Sequence, residues 1–172
     1  GNTITLDGVS QRLTLGNGSI VGGTVTAVNG GTMTTLISAN SALQGVTLGA
    51  DLGIANAHTL TVSDGLMLDG ATISFESTGG NTQDVRFNGT QTLGGSGVVV
   101  FNGGNDSNLV RSQSAGQTLT IGEDVTIRTG LRGGTVGLST AGLVNEGTIS
   151  VETASRTLNV TGSNWSNTGL LR

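Results

Sequence analysis

His58 is the one imidazole in the chain, and imidazole is the side chain best suited to moving protons or holding a metal near neutral pH. A histidine metal site needs further ligands, and a Ser-His-Asp relay needs an acid and a serine brought to the ring. No second His and no Cys is present, and no partners are evident beside His58. His58 precedes Thr59-Leu60 as Gln117 precedes Thr118-Leu119 and Arg156 precedes Thr157-Leu158. That equivalence predicts a solvent-facing polar position. Cleavage of a polysaccharide would instead need clustered carboxylates, for acid and base work or to hold calcium, with a cation for developing charge. Asp64, Asp69, Asp106 and the Glu123-Asp124 pair are separated acids in turn-like sequence, and Lys is absent. No catalytic residue, cofactor-binding residue or metal ligand is assigned on this basis, and no cofactor is expected.

The remaining candidates each have a structural alternative. Gly103-Gly104-Asn105-Asp106-Ser107-Asn108 is similar to a calcium-binding Gly-Asp turn but occurs once, without the nonapeptide period that would stack ligands. A loop insertion is the expectation, and Asp64-Gly65 and Asp69-Gly70 read as turns. Thr-x-Thr pairs at Thr24/Thr26, Thr32/Thr34, Thr59/Thr61 and Thr118/Thr120 could form an ice-binding array on a flat face, but their spacing is irregular and Thr is a good strand residue. Trp165 could be a sugar platform; its place in the repeat predicts packing in the core or at an end. Asn17, Asn88, Asn105, Asn159 and Asn164 begin Asn-x-Ser/Thr triplets, glycan acceptors in a secreted eukaryotic chain but a consequence of composition in a bacterial repeat.

Composition narrows the classes further. The chain of 172 residues has 31 Gly, no Pro, no Cys, 10% charged and 34% hydrophobic residues. High Gly without Pro and without a three-residue period excludes collagen, and the apolar content argues against disorder. All seven basic residues are Arg and the net charge is −4, so no basic stripe for nucleic acid is expected. No apolar run approaches the roughly 20 residues of a membrane helix, so membrane insertion is not expected. The chain begins with Gly1 and no leader, as expected of a processed product or an excised segment of a longer protein.

The elements that must position any site are short strands. Alternation of period two recurs at Thr3-Leu6, Leu13-Leu15, Leu60-Val62, Leu66-Leu68, Ile73-Phe75, Val85-Phe87, Leu119-Ile121, Val125-Ile127 and Ile149-Val151, the mark of a strand with one buried face. Gly, Asn, Asp and Ser lie between them and tolerate tight or left-handed backbone. The best helical candidate, Ala39 to Leu52, is broken by Gly45 and Gly49, so almost no helix is expected.

Repetition is the strongest signal. Leu143-Val144-Asn145-Glu146-Gly147-Thr148-Ile149 returns as Trp165-Ser166-Asn167-Thr168-Gly169-Leu170-Leu171, a step of 22 residues, the length of one solenoid coil. Weaker echoes join Leu6-Asp7-Gly8, Leu43-Gln44-Gly45 and Leu68-Asp69-Gly70. They also join the phrases at Gln11-Leu15, His58-Val62, Gln117-Ile121 and Arg156-Val160. Their uneven separations predict coils of different length or with loop insertions. A sandwich has no reason to repeat apolar, Asn and Gly positions at one-coil spacing, whereas in a parallel β-helix equivalent residues stack about 4.8 Å apart. Asn145 and Asn167 would then either bond through their amides or serve turns. Phe75, Phe87 and Phe101 are expected in the core. Roughly seven to eight coils would make a rod on the order of 35 to 40 Å long.

Thr92 to Phe101, Thr118 to Gly122 and Leu143 to Ile149 resemble the repeats of very large bacterial surface proteins. These include filamentous-haemagglutinin-like adhesin shafts, autotransporter passengers and Gly-, Thr- and Asn-rich giant exoproteins, and the likeness covers nearly the whole chain. The resemblance implies an all-β, right-handed parallel β-helix, residues 1–172 forming one domain, secreted or displayed at the cell surface. It implies a stalk, adhesin shaft or matrix fibre, with functional parts in loops or domains outside the repeats. The expectation is therefore a non-enzymatic extracellular shaft or filament subunit that associates end to end. An adhesin passenger that binds glycans through loops such as Gly103 to Asn108 is the alternative; a β-helical polysaccharide lyase or hydrolase, or an ice-binding protein, are further ones.

Overall fold

A computed structural model describes all of residues 1–172. Nineteen strands form one sheet in which every pairing is parallel, and the sheet winds into a β-solenoid of about seven turns without any helix. Each turn contributes one segment to each of three ladders. The first ladder contains β1 (Thr3–Asp7), β4 (Thr24–Val28), the end of β6 (Asn40–Gly49), the middle of β8 (Thr59–Phe75) and the start of β10 (Gln91–Phe101). It continues through β12 (Thr118–Ile121), β15 (Gly142–Asn145) and β18 (Asn164–Asn167). The second comprises β2 (Arg12–Leu15), β5 (Thr32–Thr35), β7 (Leu52–Ile54), the ends of β8 and β10, β13 (Val125–Thr129), β16 (Thr148–Ser150) and β19 (Leu170–Leu171). The third joins β3 (Ser19–Val21), the starts of β6 and β8, β9 (Gln83–Phe87), β11 (Asn108–Ser112), β14 (Gly134–Val136) and β17 (Leu158–Val160).

Stacking turns one inward position into a column. Leu13, Met33, Leu52, Ile73, Val99, Ile127, Ile149 and Leu171 are successive register partners along the second ladder. Burial of each such side chain contributes roughly 1.5–3 kcal/mol before chain entropy is set against it. Phe75 and Phe101 are partners on neighbouring turns and pack edge to face, with centroids 5.1 Å apart and ring planes at 81°, a preferred aromatic geometry. Phe87 is fully buried in the third ladder. The apolar residues join in one contiguous core.

The corners explain the sequence echoes. Gly8, Gly45 and Gly70 all have positive φ, a conformation Gly adopts without steric cost. Yet Leu43 stands in the third ladder, and Leu6 and Leu68 are in different columns of the first. The strand phrases likewise fall on all three ladders: Leu13 on the second, Leu60 and Leu158 on the third, Leu119 on the first. These echoes report the same local chemistry at different walls, which accounts for much of their uneven separation. Coil length varies as well, from 19 residues between Met33 and Leu52 to 28 between Gln91 and Leu119. Asp64-Gly65 and Gly70 are not turns between strands. They are left-handed corners inside the continuous strand β8, with φ of 56°, 79° and 75°.

The 22-residue phrase is a true register. Asn145 pairs with Asn167 and Leu143 with Trp165. The Asn145 amide nitrogen donates to Asn167 Oδ1 at 2.6 Å and also reaches Gly147 O, while Asn167 Nδ2 donates to Gly169 O. The bonded ladder and the turn role therefore coexist. The glycines recur because a Cβ on Gly169 would meet Gly147 O, and one on Gly147 would meet Gly122 O and Val125 O.

Candidate functional site

The structure corrects the reading of His58. The ring is completely buried, because it has the inward parity of Leu60 and Val62 on the same strand run. Its Nδ1 lies 2.8 Å from Leu36 O and its Nε2 2.7 Å from Ser41 Oγ. A carbonyl oxygen only accepts, so Nδ1 carries the proton and Nε2 accepts from the Ser41 hydroxyl. Burial lowers the imidazole pKa below its ordinary value and outweighs the opposing hydrogen bond to Leu36. Hydroxyl and imidazole are paired as in an activated nucleophile, but Ser41 is only 6% exposed and His58 0%. The pair seals a corner of the core.

Two neighbouring turns extend this polar corner. Gln83 and Asn108 are register partners, and Gln83 stands one turn above His58, directly before the Asp84 that pairs with Thr59. Both amides are buried. Gln83 donates to Ile54 O, and Asn108 Nδ2 donates to Asn105 O and Gly133 O. His58 and Asn108 take up carbonyls of the chain entering the third ladder, the task a buried corner imposes when its backbone leaves the sheet. Gln83 adds a second donor to Ile54 O at the end of β7, which already accepts from Glu76 N. Asn108 Oδ1 is buried without a donor.

Asp84 has the outward parity of its strand and is nevertheless only 1% exposed. Arg86 Nε lies 2.5 Å from Asp84 Oδ2, and Arg111, the partner of Arg86 one turn above, donates from Nη2 to the same oxygen at 2.7 Å. Arg111 Nε completes the contact at 3.2 Å from both oxygens. The hydrogen bond to Asp84 raises the Arg111 pKa against the cost of burial. Two guanidinium groups on adjacent turns thus share one carboxylate on the outer wall, which offsets one of their two charges. Register brings these residues together; the alternation Val85-Arg86-Phe87 identifies only the strand.

The acids singled out from sequence form no group of three that could hold a metal. Asp64 accepts from Gln44 Nε2, and Asp106 accepts from Gly133 N at 2.7 Å, so both tie neighbouring turns together. Gly103 to Ser107 form the loop that joins β10 to β11, with Asn105 bonded to Gly80 O and Ser107 N. Threonine stacking stays local. Thr3 and Thr5 lie beneath Thr24 and Thr26, but the next partners are Thr47 and Gly49, followed by Met67. Trp165 stacks on Leu143 on the last turn and is 48% exposed, an end position as its phase predicts.

The wall carries two main concavities. A groove of about 320 Å³ on the outer face of the second ladder includes Arg12, Thr34, Asp51, Ser74 and Glu76. Asp51 Oδ1 is held by Thr72 N at 2.7 Å, which leaves Glu76 as the groove's unengaged carboxylate. Sequence reading missed both acids because they meet only through stacking. The second concavity, about 420 Å³, lies where the chain passes from the second ladder to the third. It is bordered by Asn102, Gly103, Gly104, Leu131, Arg132 and Arg156.

No protein-family model, curated protein or solved structure matches the chain. What the sequence and structure establish is a β-solenoid repeat fold of about seven turns.

Proposed function

We propose that the chain is a length of rigid shaft in an extracellular bacterial surface or matrix assembly, continued end to end by further coils. The observation that supports this reading is the column from Leu13 to Leu171, unbroken through every turn of the second ladder. A stack of this kind lengthens by repetition without any new interaction, since each coil contacts only its neighbours. At its two ends it presents unpaired strand edges and apolar surface. Leu171 is 40% exposed at one end and Ile4 39% at the other, although both stand in columns that are buried in the turns between. Such edges are templates for another strand, supplied by more of the same polypeptide or by a second copy.

Electron microscopy and sedimentation of the protein with its native flanking sequence test the proposal. Straight rods are expected, either as long monomers or as filaments that shorten when Leu171→Arg places a charge on the last inward position. Compact monomers at high concentration, with no elongated species, would count against a shaft.

A further inference from the structure

We propose that the cleft between the second and third ladders binds an oxyanion, a carboxylate or sulfate group, between Arg132 and Arg156. Gly134 pairs with Leu158, and the same register two residues earlier places Arg132 and Arg156 on adjacent turns. A Cβ on the intervening Gly133 would strike the backbone of Thr157, so the two segments stack closely. Both arginines are partly buried and line the same cleft, and neither has a carboxylate within ion-pair distance.

This arrangement differs from every other stacked cation in the chain. Arg86 and Arg111 share Asp84, and Arg128 and Arg172 share Glu152. Like charges on adjacent strands destabilise a sheet, and this chain has acids in excess, 11 against 7 basic residues. A purely structural pair would be expected to receive an acid as the others do. Asp106, in the loop between β10 and β11, is turned to Gly133 N. The amide nitrogens of Gly103 and Gly104 have no acceptor within the chain, and both glycines line the cleft. Arginine forks suit the paired oxygens of carboxylate and sulfate.

Affinity electrophoresis of the full chain through gels containing polygalacturonate, dextran sulfate or uncharged dextran is the test. Sodium sulfate and sodium galacturonate serve as free competitors. Retardation by a charged polymer and not by dextran is expected, and the polymer that acts identifies carboxylate or sulfate as the ligand group. Loss of a charge-assisted contact predicts about a tenfold or greater loss of affinity for Arg132→Gln/Arg156→Gln. Arg12→Gln, in the other groove, should bind as wild type, and Asp106→Asn should bind more tightly. Removing two repelling charges should leave the melting temperature no lower than wild type. If only the free ions act, they should raise the melting temperature of wild type and not of the double variant, which assigns the site to a small anion. Absence of any effect by polymer or free ion overturns the proposal. So does equal loss in Arg12→Gln, or wild-type binding by a folded double variant.

Discussion

Asn145 donates through Nδ2 to Oδ1 of Asn167, 2.6 Å away on the next turn. Below Asn145 in the same column stand Ile121, Leu93, Leu66 and Val46, all buried and apolar. The column changes from apolar to amide at Asn145, and the amide holds Gly147 O and the next turn together. Removing the acceptor with Asn167→Ala should cost about 1 kcal/mol in denaturant unfolding, the net worth of a typical hydrogen bond. Asn145→Ala should cost more, about 1–3 kcal/mol, because it also leaves a cavity beside the core and removes a donor from Gly147 O. The double variant should show coupling, with a total loss below the sum of the single ones. Strict additivity would show that the amide ladder contributes nothing between turns.

Asp84 supplies a second measurable link between turns. Replacing it by Asn leaves Arg86 and Arg111 stacked with no charge between them. Breaking a buried ion pair by removal of one partner typically costs 3–5 kcal/mol. The arginine side chains are 37% and 23% exposed here, so solvent screens part of the repulsion and about 2–3 kcal/mol is expected. Arg111→Gln should cost less than Asp84→Asn, since Arg86 still pairs with the buried carboxylate. Urea unfolding at low and moderate salt checks both, with added salt narrowing the deficit of Asp84→Asn. An Asp84→Asn protein as stable as wild type would show that the carboxylate is dispensable.

How far the fold could be read from residues depended on whether a property was local or came from stacking. Alternation at Leu119-Thr120-Ile121 or Val125-Thr126-Ile127 is local, and both are strands with inward apolar residues. The Asn145 and Asn167 register was legible because the first and second ladders both step by 22 residues over that last coil, although the third steps by 24. The groove acids Asp51 and Glu76 were not legible. They belong to different turns, and only the pairing of β7 with β8 brings them together. Asp84 was hidden for the same reason, as its cover comes from Arg111 a turn above. His58 is a different case. Its parity with Leu60 and Val62 pointed inward, and the likeness to Gln117 and Arg156 pointed outward. The likeness misled because Gln117 leads into the first ladder and His58 into the third. Arg156 also enters the third but two residues out of step, since Leu60 shares its column with Val160 and not with Leu158. At His58 a carbonyl and a hydroxyl meet the ring inside.

Burial of His58 gives the fold a pH dependence of definite sign. The folded-state pKa lies below the ordinary value of 6.5, so in the range between the two the unfolded chain binds more protons than the folded one. Stability is therefore greatest above about pH 6.5, falls as the pH drops through the unfolded pKa, and stops falling from this source below the folded pKa. The slope cannot exceed about 1.4 kcal/mol per pH unit for one group. As the only histidine in the chain, His58 dominates that window, and subtracting a His58→Gln unfolding series from wild type removes the carboxylate contributions. The variant should be less stable at pH 8, because it loses the contacts to Ser41 and Leu36, yet its stability should change less between pH 7 and pH 5. Parallel wild-type and variant curves across that interval would mean that the ring titrates alike in the folded and unfolded chains, and that burial imposes no cost on its charge.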